Sequence, residues 1–240
     1  MPAGSARKTH IVFYAMPSGK ITSLRAQVQD NQRVNVFVNG EFALGVSLNT
    51  ISRAGLFVGK ELSEAEYAQL ETLESSDRAY QAALRFLEAR PRSSAEVRTR
   101  LERKDFAPEA IDAALARLTQ LGMIDDAAFA RLWVENRQLM RPRGANALRD
   151  ELRRKGIDAD TAAAVLSDDT HEDEAERAMV LARGALRKYA SAADRNAFTR
   201  RMGGFLQRRG FTFDVIRPII DTLWAEVRGD TTADDDDEEE

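Results

Sequence analysis

Hydrophobic positions follow two regimes along this chain. Between residues 20 and 46 they alternate: Ile21 to Gln29, then Arg33 to Val38 with Val34, Val36 and Val38 on one side, then Glu41 to Val46. A period of two marks half-buried strands. Asp30-Asn31 and Asn39-Gly40 separate the runs, and Asn-Gly tolerates the positive φ values of a two-residue hairpin. A three-stranded meander is predicted. Gly55 and Gly59 punctuate the next stretch. Ser63 with Glu66 three residues on has capping-box spacing and predicts a helix to about Leu73.

From there to Arg228 the period becomes helical, and the segment repeats itself. Leu101-Glu102-Arg103-Lys104-Asp105-Phe106 returns as Leu152-Arg153-Arg154-Lys155-Gly156-Ile157 and as Leu206-Gln207-Arg208-Arg209-Gly210-Phe211, at offsets of 51 and 54 residues. The same register aligns Arg90-Pro91 with Arg141-Pro142, and Val97 with Leu148 and Met202. Each copy carries three apolar stripes. In the first they are Tyr80, Ala83, Leu84 and Leu87; Val97 and Leu101; and Ile111, Leu115, Leu118 and Leu121. The second has Phe129, Leu132 and Trp133; Leu148 and Leu152; and Ala162, Val165 and Leu166. The third has Met179, Ala182 and Leu186; Phe198, Met202, Phe205 and Leu206; and Ile216, Ile219, Ile220 and Leu223. Stripes at this spacing are core positions. The predicted fold class is mainly α, with tandem three-helix repeats forming an elongated curved array, preceded by a small β-meander and helix. The expected segments are a flexible leader over 1–19, the meander and helix over 20–75, repeats over 76–124, 125–169 and 170–228, and a disordered acidic tail over 229–240.

Composition narrows the function classes. Charged residues make up 31% of the 240, aromatics 7%, and there is no Cys, which removes disulfides, zinc–thiolate sites and cysteine nucleophiles. No apolar run approaches the roughly 20 residues that span a bilayer, and Arg7 and Lys8 precede no long apolar run. A cytoplasmic protein with no membrane contact is expected. The formal charge of −4 is uneven: residues 229–240 hold eight carboxylates, and without them 31 acidic residues face 35 basic ones. A basic body with an acidic tail suits a polyanion-binding protein, the tail serving either solubility or competition for the body's own basic surface.

The polar signal that recurs with the repeat is cationic. Arg98, Arg100, Arg103 and Lys104 end the middle helix of the first copy; Arg149, Arg153, Arg154 and Lys155 that of the second; Arg200, Arg201, Arg208 and Arg209 that of the third. The bends add Arg90 and Arg92, then Arg137, Arg141 and Arg143. Cations near a helix C-terminus complement its dipole, and Gly156 and Gly210 suit the cap position. About four per copy exceeds that need, so contact with phosphates or an acidic protein surface stands beside capping as an explanation. Asp125 and Asp126 precede a helix and suit N-capping. Asp168 to Glu174 reads as an acidic linker whose spacing matches no metal motif. No nucleotide-binding or nucleophile motif occurs. No enzyme activity, metal or cofactor is expected.

Three segments carry a resemblance: Ala83-Leu84-Arg85-Phe86-Leu87 with Arg90 to Val97, Leu121 to Ala130, and Gly144 through Leu152 to Ile157. In order and spacing they resemble the RecX family of bacterial RecA regulators, over Ala79 to Ile157 most closely, over the third copy weakly and over the head in outline. The resemblance implies a monomer that binds in the groove of the RecA filament on single-stranded DNA, with contact to double-stranded DNA also open. It implies inhibition of RecA's ATPase, strand exchange and coprotease activities, and so modulation of DNA repair and the SOS response. The residues assigned to contact with DNA or RecA are Arg90, Arg92, Arg98, Arg103, Lys104, Arg141, Arg143, Arg149, Arg153, Arg154, Lys155, Arg208 and Arg209. Asp105 departs from the Gly of the later copies. Without the resemblance, basic three-helix units equally suit a DNA-binding transcriptional repressor or a protein-only scaffold.

Overall fold

The computed structural model describes residues 17–167 and 171–234, leaving aside the side chains of 171, 172 and 230–234. The expected leader lies outside the described residues up to position 16. The chain divides into two compact units: the described residues up to Arg85 with Leu101–Arg117, and Phe86–Arg100 with Leu118 onward. The first repeat contributes to both.

The first unit opens with strands β1 (Gly19–Ala26), β2 (Arg33–Val38) and β3 (Glu41–Ser47), joined antiparallel as the alternation predicts. Asn39 and Gly40 take φ values of 52° and 89°, the pair of positive angles that matches a tight hairpin to the twist of its strands. A fourth strand, β4 (Glu61–Leu62), escapes the sequence pattern because two residues show no period; it pairs with the outer edge of β1, giving the order β3-β2-β1-β4. Helix α1 (Leu48–Ala54) also escapes it. Ser47 caps this helix, its side chain accepting from the Thr50 N–H, and Gly55 stops it at φ 55°. Ile21, Val36, Val38 and Val46 bury one face of the sheet with Leu56, Leu62 and Leu70.

Helix α2 starts where predicted. Ser63 N–H donates to the Glu66 carboxylate at 2.9 Å and Glu66 N–H to Ser63 Oγ at 3.3 Å. It does not end near Leu73 but continues over Glu64–Leu87 and becomes the first helix of the first repeat. Nothing between Leu73 and Leu87 breaks a helix, and its acidic residues are anchors, not linker. Glu74, 5% exposed, accepts from Ser47 N–H at 2.9 Å and Thr50 Oγ1 at 3.0 Å and pairs with Arg33 at 2.9 Å. Asp77 accepts from Asn49 and faces Arg117 at 3.6 Å. The two carboxylates lock α2 to the sheet and to α1.

The repeats complete the chain. Helices α3 (Ser94–Glu102) and α4 (Pro108–Gln120) finish the first. The second comprises α5 (Asp126–Met140), α6 (Ala145–Arg154) and α7 (Ala159–Ser167). The third comprises α8 (His171–Tyr189), a middle helix in two parts, α9 (Arg195–Phe198) and α10 (Gly204–Arg208), joined by a π turn over Thr199–Gly203, and α11 (Phe213–Asp234). The extra length that shifts the third copy's offset lies partly in this π turn. Most stripe residues are buried, but Leu121 and Leu132 are 54% and 42% exposed. Leu121 lies past the end of α4 and Leu132 at the margin of its stripe, so neither reaches the core. Helix α11 runs through the start of the expected disordered tail as far as Asp234; 235–240 lie outside the described residues.

Within the second unit, successive middle helices meet end to start. The αL residue Gly156, φ 77°, ends α6 so close to α3 that a Cβ there would lie 2.2 Å from Ala95 Cβ. Gly210, φ 90°, ends α10 in the same relation to α6, its Cβ position 2.3 Å from Ala147 Cβ. Two constraints therefore require Gly at these joints, the backbone angle and the approach. Asp105 occupies the equivalent place in the first copy with φ 59° and is exposed. An Asp tolerates that angle where no neighbouring helix presses on it. The joints yield a test. Gly156→Ala should lose about 3 kcal/mol in urea unfolding, combining backbone strain with overpacking. Gly122→Ala, with φ 67° and nothing within 4 Å, should lose only about 1 kcal/mol. Equal losses would show that close approach contributes nothing.

Candidate functional site

The cationic residues singled out by sequence separate into two groups. The first is engaged by carboxylates and aromatic rings of the protein itself, beginning at the joint between α3 and α6. Arg90 grips the Glu96 carboxylate through both terminal nitrogens, at 3.0 and 3.1 Å, and also donates to the Pro91 carbonyl at 2.8 Å. Lys155 Nζ meets the same carboxylate at 2.8 Å and lies 4.7 Å from the Trp133 ring centre. Burial alone would raise the Glu96 carboxyl, but hydrogen bonds from Arg90 and Lys155 and their charges outweigh it, holding the group at about 2 instead of its ordinary 4.5.

Backbone contacts complete the joint, and they recur. Ser93 Oγ donates to the Lys155 carbonyl at 2.6 Å, and one repeat later the Gly144 N–H donates to the Arg209 carbonyl at 3.0 Å. Ser94 N–H, at the start of α3, donates to Asp126 Oδ1 at 2.8 Å; Ala145 N–H, at the start of α6, donates to Glu174 Oε1 at 2.8 Å. Each pair joins the open N-terminus of a middle helix to a carboxylate on the first helix of the following repeat, where a negative charge complements the helix dipole. Asp125 caps its own helix, accepting from Ala128 N–H at 2.8 Å, as its position predicts. Asp126 caps a neighbouring repeat, a role local spacing cannot reveal. Glu174, within the segment read as an acidic linker, has a structural part of the same kind.

A second cluster surrounds Glu151. It accepts from Trp133 Nε1 at 2.9 Å and Arg137 Nε at 2.7 Å, with Arg143 Nε at 3.8 Å. Arg137 stacks 4.6 Å from the Trp133 ring centre. Trp133 therefore sits between Arg137 and Lys155 and links the α5–α6 pair to the joint. Arg92 lies half-buried with its guanidinium 4.1 Å from the Phe86 ring centre, and Arg209 lies 5.3 Å from that of Phe205. Arg98 is half-buried and engaged within the protein.

The remaining cations face solvent. Arg103 and Lys104 are exposed at the end of α3, in the first unit. In the second unit Arg141, Arg149, Arg153, Arg154 and Arg208 are exposed. Among the described residues Arg149 hydrogen-bonds to Asn146 at 2.9 Å, and Arg153 pairs with Asp150 at 3.2 Å, largely in water. Exposed pairs of this kind hold a side chain by less than about 1 kcal/mol, leaving both guanidinium groups available to a partner. Among the described residues no group of His, Asp or Glu side chains is arranged to hold a metal ion, and no helix is long and apolar enough to cross a membrane.

Four family models match in chain order: the regulatory protein RecX N-terminal domain over residues 19–63, and the first, second and third RecX three-helix domains over 79–118, 125–166 and 172–220. Among curated proteins, the regulatory protein RecX of Bacillus subtilis is 30% identical over 88% of this chain and 80% of its own length. The regulatory protein RecX of Lactobacillus delbrueckii subsp. bulgaricus is 34% identical over 88% and 77%. The chain belongs to the RecX family. A crystal structure of regulatory protein RecX superposes with a TM-score of 0.74 at 28% identity, covering 84% of this chain and 98% of the other. RecX from Lactobacillus salivarius gives 0.59 at 27%, covering 62% and 96%. The third three-helix domain, where the sequence resemblance is weakest, is matched as the first two are.

For this RecX chain the Glu96 network supplies a pH test. A carboxyl held below its ordinary value stabilises the fold fully above that value and loses the contribution as pH falls toward the folded one. Wild type should lose about 1–2 kcal/mol more than Glu96→Gln between roughly pH 5 and pH 2, a range discounted for partial solvent screening. Parallel stability curves for the two proteins would show that the network does not hold the joint.

Proposed function

We propose that this chain regulates RecA as a non-enzymatic, monomeric cytoplasmic protein that binds the RecA filament on single-stranded DNA. Membership of a family of regulatory proteins supports the reading. The observation that carries it is the second group of cations: Arg149, Arg153 and Arg154 on α6 and Arg208 at the end of α10 are exposed, with little or no carboxylate partner among the described residues. Their helices meet at joints of one kind, a donor at the start of one middle helix on a last carbonyl of the next and a carboxylate of the following repeat on the next N–H, and exposed cations stand on both α6 and α10. Cations at fixed intervals suit a polymeric, polyanionic partner more than a small ligand. Occupying successive positions on the filament would obstruct its protomers, damping ATP hydrolysis, strand exchange and coprotease activity, and with them recombination and the SOS response.

Added well below the RecA concentration, the protein should slow ATP hydrolysis by RecA on single-stranded DNA. Unchanged hydrolysis would overturn the reading. Replacing Arg149, Arg153 and Arg154 together with Ala should raise the half-inhibiting concentration about tenfold and flatten its salt dependence. An unaltered value would assign those side chains to solvation alone.

A further inference from the structure

The first unit holds a cleft that neither the sheet nor the helix packing explains. Its volume is about 700 Å³, within the roughly 300–1,000 Å³ typical of ligand sites. Arg78 and Arg85 on α2 form one wall, and Lys104 and Phe106, from the turn between α3 and α4, form another. Gln32 and Gln81 add amides that can donate and accept. Asp77 lies at the bottom, 2% exposed, its carboxylate engaged by Asn49 and Arg117.

Three cations in this cleft are uncommitted. Among the described residues Arg78, Arg85 and Lys104 are all exposed, and none is paired with a carboxylate. This contrasts with Arg33, also in the lining, which is tied to Glu74. Arg78 stands 6.0 Å from the Phe106 ring centre, so a cation and an aromatic face open on the same space. Phe106 is only half-buried although it is a large apolar residue beside polar neighbours. Three cations without a carboxylate partner, two amides and an aromatic ring thus surround one opening, together with the carboxylates of Asp30 and Asp77.

We propose that this cleft seats a nucleotide unit of a single strand of nucleic acid. The cations take the phosphodiester, Phe106 offers a face for the base, and the glutamines reach base edges. A base inside a duplex is stacked on its neighbours and cannot reach Phe106, so the ligand is single-stranded. An acidic peptide would use the cations but not the ring; the Asp30 and Asp77 carboxylates in the lining oppose either anion alike, so the ring and the amides decide between them. The inference extends the proposed role at RecA filaments and rests on it only for DNA as the strand. It adds a DNA contact in the head unit to the exposed cations of α6 and α10.

Binding of a labelled oligothymidylate of roughly 12 nucleotides to the full chain, without RecA, tests it. Arg78→Ala combined with Lys104→Ala should weaken binding about tenfold and lower the log–log salt slope by about 1.4, two phosphate contacts at roughly 0.7 each. Phe106→Leu should weaken binding at least fivefold with the slope unchanged, as expected for lost stacking worth about 1–3 kcal/mol. Arg53→Ala, an exposed cation outside the cleft, should change neither quantity. Affinity and slope of the double variant within twofold of wild type would overturn the proposal. So would displacement of the oligonucleotide by polyglutamate or thymidine monophosphate at equal concentration, which would assign the cleft to acidic protein or to free nucleotide. RecA inhibition is not a readout here, so failure at the cleft leaves the regulator reading standing, and failure of that reading leaves strand binding measurable.

Discussion

The start of one middle helix rests on the end of the next, and the rest of the second unit is arranged around that contact. The free N–H groups of a helix N-terminus carry partial positive charge and the last carbonyls of a helix carry partial negative charge. At the joint between α6 and α10 the Gly144 N–H meets the Arg209 carbonyl, and at the joint between α3 and α6 the Ser93 hydroxyl takes that place on the Lys155 carbonyl. Carboxylates from the following repeat, Asp126 and Glu174, satisfy the next N–H in line. A Cβ at Gly156 would lie 2.2 Å from Ala95 Cβ and one at Gly210 2.3 Å from Ala147 Cβ, so the joint would have to shift to admit either. The repeat in sequence is thus a record of a repeated docking geometry.

That geometry explains why cations are so numerous. Arg90 and Lys155 neutralise Glu96 at the joint, while Arg137 and Arg143 surround Glu151 beside it. A further set on the same helices, Arg149, Arg153 and Arg154, points to water. The two explanations of the basic clusters therefore apply to different residues, and binding is proposed only for the exposed group. Helix ends and ion pairs absorb one group, and the array carries the other on its surface. The side chains that hold the joints and those that face solvent come from the same stretch of sequence without overlap.

How much of the fold is legible in the sequence depends on the range of the interactions. The hairpin at Asn39-Gly40, the capping box at Ser63 and Glu66 and the N-cap at Asp125 are local, and each stands where spacing places it. The stripes emerge because core positions repeat every three or four residues, with Leu121 and Leu132 lost where a helix ends or its face turns away. Strand β4 stays hidden because two residues carry no period, and α2 looks short because its buried Glu74 and Asp77 resemble a polar break. The joint itself is invisible. Ser93 and Lys155 are 62 residues apart, and nothing in either segment announces the other. Of the residues assigned to binding, sequence cannot separate Arg90, Arg92, Arg98, Arg143, Lys155 and Arg209, which the protein engages internally, from Arg103, Lys104, Arg141, Arg149, Arg153, Arg154 and Arg208, which face solvent.

The proposed role is that of a clamp along a polymer, with exposed cations on successive middle helices. Co-sedimentation of the full chain with RecA filaments assembled on single-stranded DNA tests it most directly. If each copy spans neighbouring protomers as proposed, the chain pellets with the filament and saturates at less than one copy per RecA protomer. A chain that stays in the supernatant at physiological salt, or that loads one copy on every protomer, contradicts it.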